Sequence, residues 1–338
     1  MLANKIGLSI IIPMYNSEGW IGPTLAHIRD SLVDTRFDAE ILVIDDGSTD
    51  GGAAEAKSID LGSLATVDVV ERANQGRYLA RKVGVELSTK ENILFIDSRV
   101  FIDKGSLHFL ETQLQDNPDQ LWNGHVNIDK RGNIFTRFWD AIVCIAWRRY
   151  FRHPTTTQYG IKDFDYYPKG TGFFYVPKGR LVAAMEYFEQ TTNDVKHSSD
   201  DTLLIRFMNE RQDIHLSPSF SCLYHGRTNM KSFLKHAYHR GEFFIDGFMH
   251  PGTRFFVPLL LVLAISVAII PMLLMWPLYA MAALVVFALL LAVGLCLGAL
   301  LFGVGVADAF SLGLLGAPFA AVYLTGLWRG VIRKFAKK

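Results

Sequence analysis

From Phe255 to Ala307 the chain contains no Asp, Glu, Lys, Arg or His. One crossing of a bilayer takes roughly 20 apolar residues, so this stretch is long enough for two. Pro271 and Pro277 bracket the natural break, which predicts spans near 255–275 and 278–303. A third apolar segment, 309–328, follows the lone Asp308 and reads as a span, a re-entrant segment or an interfacial helix. Lys231, Lys235, Arg240 and Arg254 precede the first span, and the basic cluster from Arg329 to Lys338 follows the third segment. Basic clusters favour the cytoplasmic side, so placing both there requires an even number of crossings. A hairpin with a non-crossing third segment meets that condition; three full crossings do not.

The remaining charge is distributed very differently. Lys and Arg number 34 and Asp and Glu 33, yet beyond Arg254 only Asp308 and five basic residues are found. The net charge is −3 up to Arg254 and +4 after it. This predicts a polar globular domain over 1–228, an interfacial amphipathic helix over 229–254 and a membrane region over 255–338 with a basic tail. A globular part without basic excess argues against a nucleic-acid partner. Cys144, Cys222 and Cys296 form no CxxC pair, which suits a reducing compartment and predicts neither a disulfide framework nor a zinc site. The apolar run Ile6 to Pro13 is short and lacks a small-residue cleavage site, so no signal peptide is expected. The expected location is the cell membrane, multi-pass, with the globular domain in the cytoplasm.

The first 130 residues alternate strand and helix. Leu8–Pro13, Glu40–Asp45 and Asn92–Asp97 are short continuous apolar runs, as strands covered on both faces require, and Val67–Val70 is a weaker one. Helices are expected over 17–33, 75–88 and 200–210, the last with Ser198 or Ser199 as N-cap. The order predicts an α/β fold with a mostly parallel sheet, which binds ligands beyond the carboxyl ends of its strands. Those ends are Tyr15-Asn16, Asp45-Asp46 and Asp97. Residues 131–250 are a less regular α+β stretch. Within it, Arg137–Arg152 mixes aromatic and basic residues and reads as a packed amphipathic helix in preference to a membrane-surface one.

Five segments in order carry a resemblance. They are Pro13-Met14-Tyr15-Asn16, Asp45-Asp46-Gly47-Ser48-Thr49-Asp50, Asn74-Gln75-Gly76 with Arg81, Asp97-Ser98-Arg99, and Asp200-Asp201 with Arg206. Together they resemble glycosyltransferase family 2, inverting nucleotide-sugar enzymes of GT-A fold, over roughly residues 8–230. Tyr238-His239-Arg240-Gly241, His250-Pro251-Gly252 and Tyr323-Leu324-Thr325-Gly326 are similar to succinoglycan-biosynthesis-type exopolysaccharide transferases.

The resemblance implies a nucleotide-sugar donor, with a UDP-sugar favoured. It implies donor contacts at Pro13, Tyr15, Asn16, Glu18, Asp45, Asp46, Asn74, Gly76, Arg81, Asp97 and Arg99. Asp97 stands at the first Asp of the family's D-x-D, the ligand of Mn2+ or Mg2+, but Arg99 replaces the second. Arginine cannot ligate a metal, so either Asp97 and the diphosphate hold the ion, or Arg99 binds phosphate in its place, or Arg99 simply faces solvent. The acidic pair implies Asp201 as general base with Asp200 beside it; alternatively the two acids only complement a helix dipole. Gly170-Thr171-Gly172 and Arg206 are expected to face the acceptor, a lipid-linked saccharide hydroxyl, although Gly170–Gly172 also suits an ordinary turn. Two other functions fit the sequence: a polyprenyl-phosphate transferase of the dolichol-phosphate-mannose-synthase type, and a non-catalytic glycosyltransferase-like subunit. A processive synthase is disfavoured by the missing Q-x-x-R-W run. A homo-oligomer is compatible with all of these.

Overall fold

The computed structural model describes residues 5–192 and 200–336. In chain order its elements are β1 (Ile6–Met14), α1 (Ile21–Leu32), β2 (Phe37–Asp45), α2 (Gly52–Lys57), β3 (Ala65–Glu71), α3 (Arg77–Leu87), β4 (Asn92–Ile96), β5 (Val100–Ile102), α4 (Ser106–Asp116), β6 (Leu121–Ile128), α5 (Ile134–Ala146), α6 (Arg148–Phe151), β7 (Thr157–Tyr159), a 3₁₀ turn (Ile161–Tyr166), β8 (Phe173–Pro177), α7 (Lys178–Thr191), α8 (Asp200–Asn209), β9 (Ile214–Tyr224), α9 (Met230–Phe248), α10 (Phe256–Met275), α11 (Pro277–Leu301) and α12 (Val306–Ala336). They divide into two compact units: Met1–Asp129 with Arg152–His225, and Lys130–Phe151 with Gly226–Lys338.

The first unit is built on a nine-stranded sheet in the order β3-β2-β1-β4-β8-β6-β9-β5, with β7 paired to β9. The expected parallel pairing holds from β3 through β2 and β1 to β4. Beyond β4 the sheet is mixed, beginning with the antiparallel β8. The alternating sides of β1 explain its unbroken apolar run. Ile10 and Ile12 pack with Leu25, Ile28 and Leu110 on one face. Ile11 packs with Tyr78, Val85, Leu181 and Leu204 on the other. Truncating a side chain in such a two-sided core, as in Ile11→Ala, costs about 2–5 kcal/mol. Gly84 of α3 lies directly on Ile11, where a Cβ would collide with its methyl group. That contact sets α3 close against β1, with Arg81 one helical turn nearer the strand ends.

The second unit is helical. Asn133 caps α5 by accepting from Phe135 N at 2.9 Å. The helix expected over 137–152 is broken at Trp147 (φ −117°, ψ 37°), giving α5 and the short α6. Among the described residues three helices, α10, α11 and α12, are long and apolar enough to cross a membrane. The break between α10 and α11 falls at Trp276 alone, because α10 continues through Pro271 to Met275. In an apolar setting, retaining the helix keeps the most backbone groups paired. The third apolar segment is longer than 309–328: α12 runs from Val306 into the basic tail and includes Pro318.

Candidate active site

Because β1, β2 and β4 are parallel neighbours, their carboxyl ends emerge on one edge of the sheet. Past β1, Tyr15 is exposed and Asn16 turns the chain at φ +49°. Asn16 Oδ1 accepts from Thr49 N at 2.8 Å, and Glu18 Oε2 accepts from Gly51 N at 3.1 Å. Both side chains thus tie the first strand end to the loop after the second.

Asp45 and Asp46 are buried and engaged with backbone. Asp45 Oδ1 accepts from Ser48 N at 3.0 Å and from the Ser48 hydroxyl, which closes the turn after β2. Asp46 accepts from Gln75 N at 2.9 Å and from Gly76 N at 2.7 Å. The two loops touch so closely that a Cβ on Gly47 would lie 2.8 Å from Asn74 N. Gly47 (φ +77°) and Gly76 (φ +99°) occupy backbone conformations that favour glycine. The acidic pair therefore shapes the loops, whatever it contributes to a ligand.

Arg81 gathers the remaining groups. It is wholly buried, and its guanidinium lies over the Phe95 ring. Its Nη2 donates to Asp97 Oδ1 at 3.0 Å, and its Nη1 donates to Asp201 Oδ1 at 2.9 Å. One planar fork thus holds the acid ending β4 beside the acid in the first turn of α8. The Thr171 hydroxyl also donates to Asp201 Oδ1, and the half-exposed Arg77 meets Oδ2 at 3.3 Å. Gly172 completes the group: its carbonyl accepts from Asp97 N at 2.9 Å, and a Cβ there would stand 2.9 Å from Asp97 Oδ2. Gly170 N is bound to Asn123 Oδ1 at 3.1 Å. Asp200 opens α8; its side chain, and the Ser198 or Ser199 cap, lie outside the described residues.

The side chains of two other expected residues go elsewhere. The Arg99 guanidinium stacks on the Trp20 ring at 4.9 Å. Trp20 packs in turn on His225, whose Nδ1 lies 3.1 Å from Asp129 Oδ2 and whose backbone N donates to Arg99 O. Arg206 pairs with Asp165 at 3.2 Å and lies over Phe164, so it supports the 3₁₀ turn rather than the Arg81 cluster.

Sequence reasoning overlooked Trp20, Arg72, Arg77 and the Asp129–His225 pair. Arg72 donates to Leu79 O at 2.7 Å and to the Gln75 side chain, bracing the Asn74-Gln75-Gly76 loop. Only the proximity of Arg77 to Arg81 on one helix gave a sequence signal for any of them.

A family model described as Glycosyl transferase family 2 matches residues 9–177. The uncharacterized glycosyltransferase YibD of Escherichia coli (strain K12) is 35% identical over 99 residues, covering 29% of this chain and 27% of that protein. The 4,4'-diaponeurosporenoate glycosyltransferase of Staphylococcus aureus (strain MRSA252) is 34% identical over 116 residues, covering 33% of this chain and 29% of that protein. The matched stretch thus spans less than a third of the length of these curated relatives. Among solved structures, the mannosyltransferase PcManGT from Pyrobaculum calidifontis, in complex with GDP-Man and Mn2+, superposes with a TM-score of 0.60 at 12% identity. That superposition covers 98% of this chain and 89% of the other, a likeness of fold. With its sheet of GT-A type and the family match across half its length, the chain belongs to glycosyl transferase family 2.

Proposed function

We propose that this glycosyltransferase moves a sugar, with inversion, from a nucleoside-diphosphate donor to a hydroxyl of a lipid-linked saccharide at the cytoplasmic face of the cell membrane. The observation that carries this reading is Arg81 holding Asp97 and Asp201 side by side at the strand ends. Inversion by single displacement needs two functions close together. One is a site for the leaving diphosphate; the other is a base for the incoming hydroxyl. Asp97 serves the first and Asp201 the second. The acceptor oxygen attacks the anomeric carbon, the bond from that carbon to the diphosphate oxygen breaks, and Asp201 takes the acceptor proton. Arg81 and Thr171 fix Oδ1 of Asp201, so Oδ2, met at 3.3 Å by the half-exposed Arg77, is the oxygen that receives it.

The donor set suits a divalent ion that arrives with its nucleotide. Among the described residues no three His, Cys, Asp or Glu side chains form a metal cage. Hard cations in phosphate chemistry commonly take one or two carboxylates and complete their shell with phosphate oxygens and water. Asp97 is that carboxylate, and the missing Cβ at Gly172 leaves space beside its Oδ2. An Mn2+ or Mg2+ ion there would neutralise charge on the leaving diphosphate. The neighbour bound to GDP-Man and Mn2+ supports this reading by its fold. EDTA is expected to abolish turnover and Mn2+ to restore it; full activity in EDTA would overturn the metal assignment.

The acceptor follows from the base. A polyprenyl phosphate is already an anion and needs little help, whereas a sugar hydroxyl is a poor nucleophile until a carboxylate takes its proton. The membrane-type helices support lipid linkage. The test screens UDP-, GDP- and dTDP-sugars, each with undecaprenyl phosphate and with undecaprenyl-diphospho-saccharides. Transfer is expected only to the saccharides. Efficient transfer to the bare phosphate, insensitive to Asp201→Asn, would assign the enzyme to the polyprenyl-phosphate class instead.

A further inference from the structure

We infer that α12 does not cross the membrane: it lies in the lipid–water boundary paired with α9, and only α10 and α11 span. Length and apolarity qualify α12 as a span, but its packing partners set its depth. Along its second half α12 runs beside α9 at backbone contact. A Cβ on Gly326 or Gly330 would collide with the carbonyl of Tyr238 or Glu242, and one on Gly241 with the carbonyl of Tyr323. The two helices run in the same direction, since Phe233 packs near Phe319 while Arg333 bonds Glu242 at 3.1 Å and Asp246 at 2.6 Å.

Whatever depth α12 takes, α9 shares it. Between Lys231 and Asp246, α9 carries Lys235, His236, His239, Arg240 and Glu242. Charged side chains at the centre of a spanning helix are strongly disfavoured. Taking α9 into hydrocarbon beside a spanning α12 is therefore strongly unfavourable. The first half of α12 packs on the last turns of α11, with Gly313 against Ala292 and Gly316 against Leu295, and beside polar partners. Asp308 pairs with Lys130 at 3.1 Å and Arg137 at 2.9 Å, and the Ser311 hydroxyl donates to Ile134 O on the polar-bearing α5.

The face of α12 turned away from these partners is apolar and continuous. Phe310, Leu314, Ala321, Thr325, Ile332 and Phe335 fall on one stripe at helical spacing, with Arg329 on the same side. Such a stripe fits the acyl–headgroup boundary of one leaflet, where a long basic side chain reaches the phosphates. The helix α10 meets α12 where Trp328 Nε1 donates to Ser266 Oγ at 2.9 Å. A hairpin of α10 and α11 returns the chain to the side it left, which also puts both basic clusters on one side.

The test uses the full-length protein in its membrane. Compartment-sensitive reporters are fused at the N-terminus, at the C-terminus and within the Trp276–Pro277 turn. The two terminal reporters should read the same side and the turn the opposite side. A C-terminal reporter opposite to the N-terminal one means three crossings and overturns the inference. A second measurement separates an interfacial helix from a re-entrant one. Nitroxides at Phe310→Cys, Ala321→Cys and Ile332→Cys, in a background without native cysteines and reconstituted in vesicles, should report the same shallow depth. A maximum near the midplane at position 321 would overturn the interfacial placement.

Discussion

Each of the two units contains a cluster of two acids around basic side chains, and the clusters differ in what surrounds them. In the first unit Arg81 bridges Asp97 and Asp201, whose side chains remain 31% and 26% exposed. In the second, Asp308 is bound by Lys130 and Arg137, Asp140 joins through Lys130, and the acids are 9% and 16% exposed. In the first cluster the cation is buried and the acids face outward; in the second the acids are buried and the cations are the exposed partners. Burial raises the pKa of Asp140 despite its bond to Lys130, and pushes the neighbouring Cys144 thiol up to about 12. A thiol so placed is no nucleophile at neutral pH. Charge clustering alone therefore does not single out the candidate site. What separates the two is convergence of strand ends on the first, with carboxylate oxygens reachable by a ligand.

The comparison breaks most sharply at Asp201. Asp201→Asn keeps the shape and loses proton acceptance, so turnover should fall by about 10²-fold or more while donor binding survives. Calorimetry of nucleotide binding beside steady-state turnover separates the two quantities. Near-normal turnover would remove the functional distinction between the clusters. A smaller loss is expected from Arg81→Lys. An ammonium keeps the charge but cannot reproduce the planar fork to both acids, so turnover should fall by about tenfold with a raised donor KM. An unchanged KM would show that Arg81 acts on Asp201 alone.

These two acids also mark how far the sequence could be read. The strands over 8–13, 40–45 and 92–97 announce themselves as continuous apolar runs, and the sheet edge they define is where the cluster lies. The pairing of Arg81 with Asp201 spans 120 positions and depends on α3 and α8 lying on the same face of the sheet, which no local pattern specifies. The strands β5 and β7 have three residues each, too few to show a period. In α12, Gly313, Gly316 and Pro318 look like helix breakers in sequence. In the fold, Gly313 and Gly316 are close-packing positions against α11, so the helix continues through them.

On the structural side of the comparison, Asp308→Ala should leave turnover unchanged and lower stability. The acid is nearly buried and holds two cations, so its loss should cost about 1–3 kcal/mol, seen as a lower unfolding temperature in detergent. Turnover reduced as strongly as in Asp201→Asn would show that the second cluster has a catalytic role and erase the contrast.

The smallest effect concerns Glu40, a buried acid of the first unit remote from the strand ends of the candidate site. Burial opposes its charge, but hydrogen bonds from the Ser9 hydroxyl and from the Thr89 amide and hydroxyl outweigh that and hold its pKa below the ordinary value. A carboxylate with a lowered folded-state pKa contributes stability that is fully present above its unfolded value, about 4.3. That contribution is lost as the pH falls through the folded value. Glu40→Gln should therefore destabilise by about 1 kcal/mol at pH 7, with the gap closing below pH 4. Denaturant unfolding of both proteins at the two pH values reads this directly. If the gap stays constant with pH, Glu40 contributes through packing rather than charge.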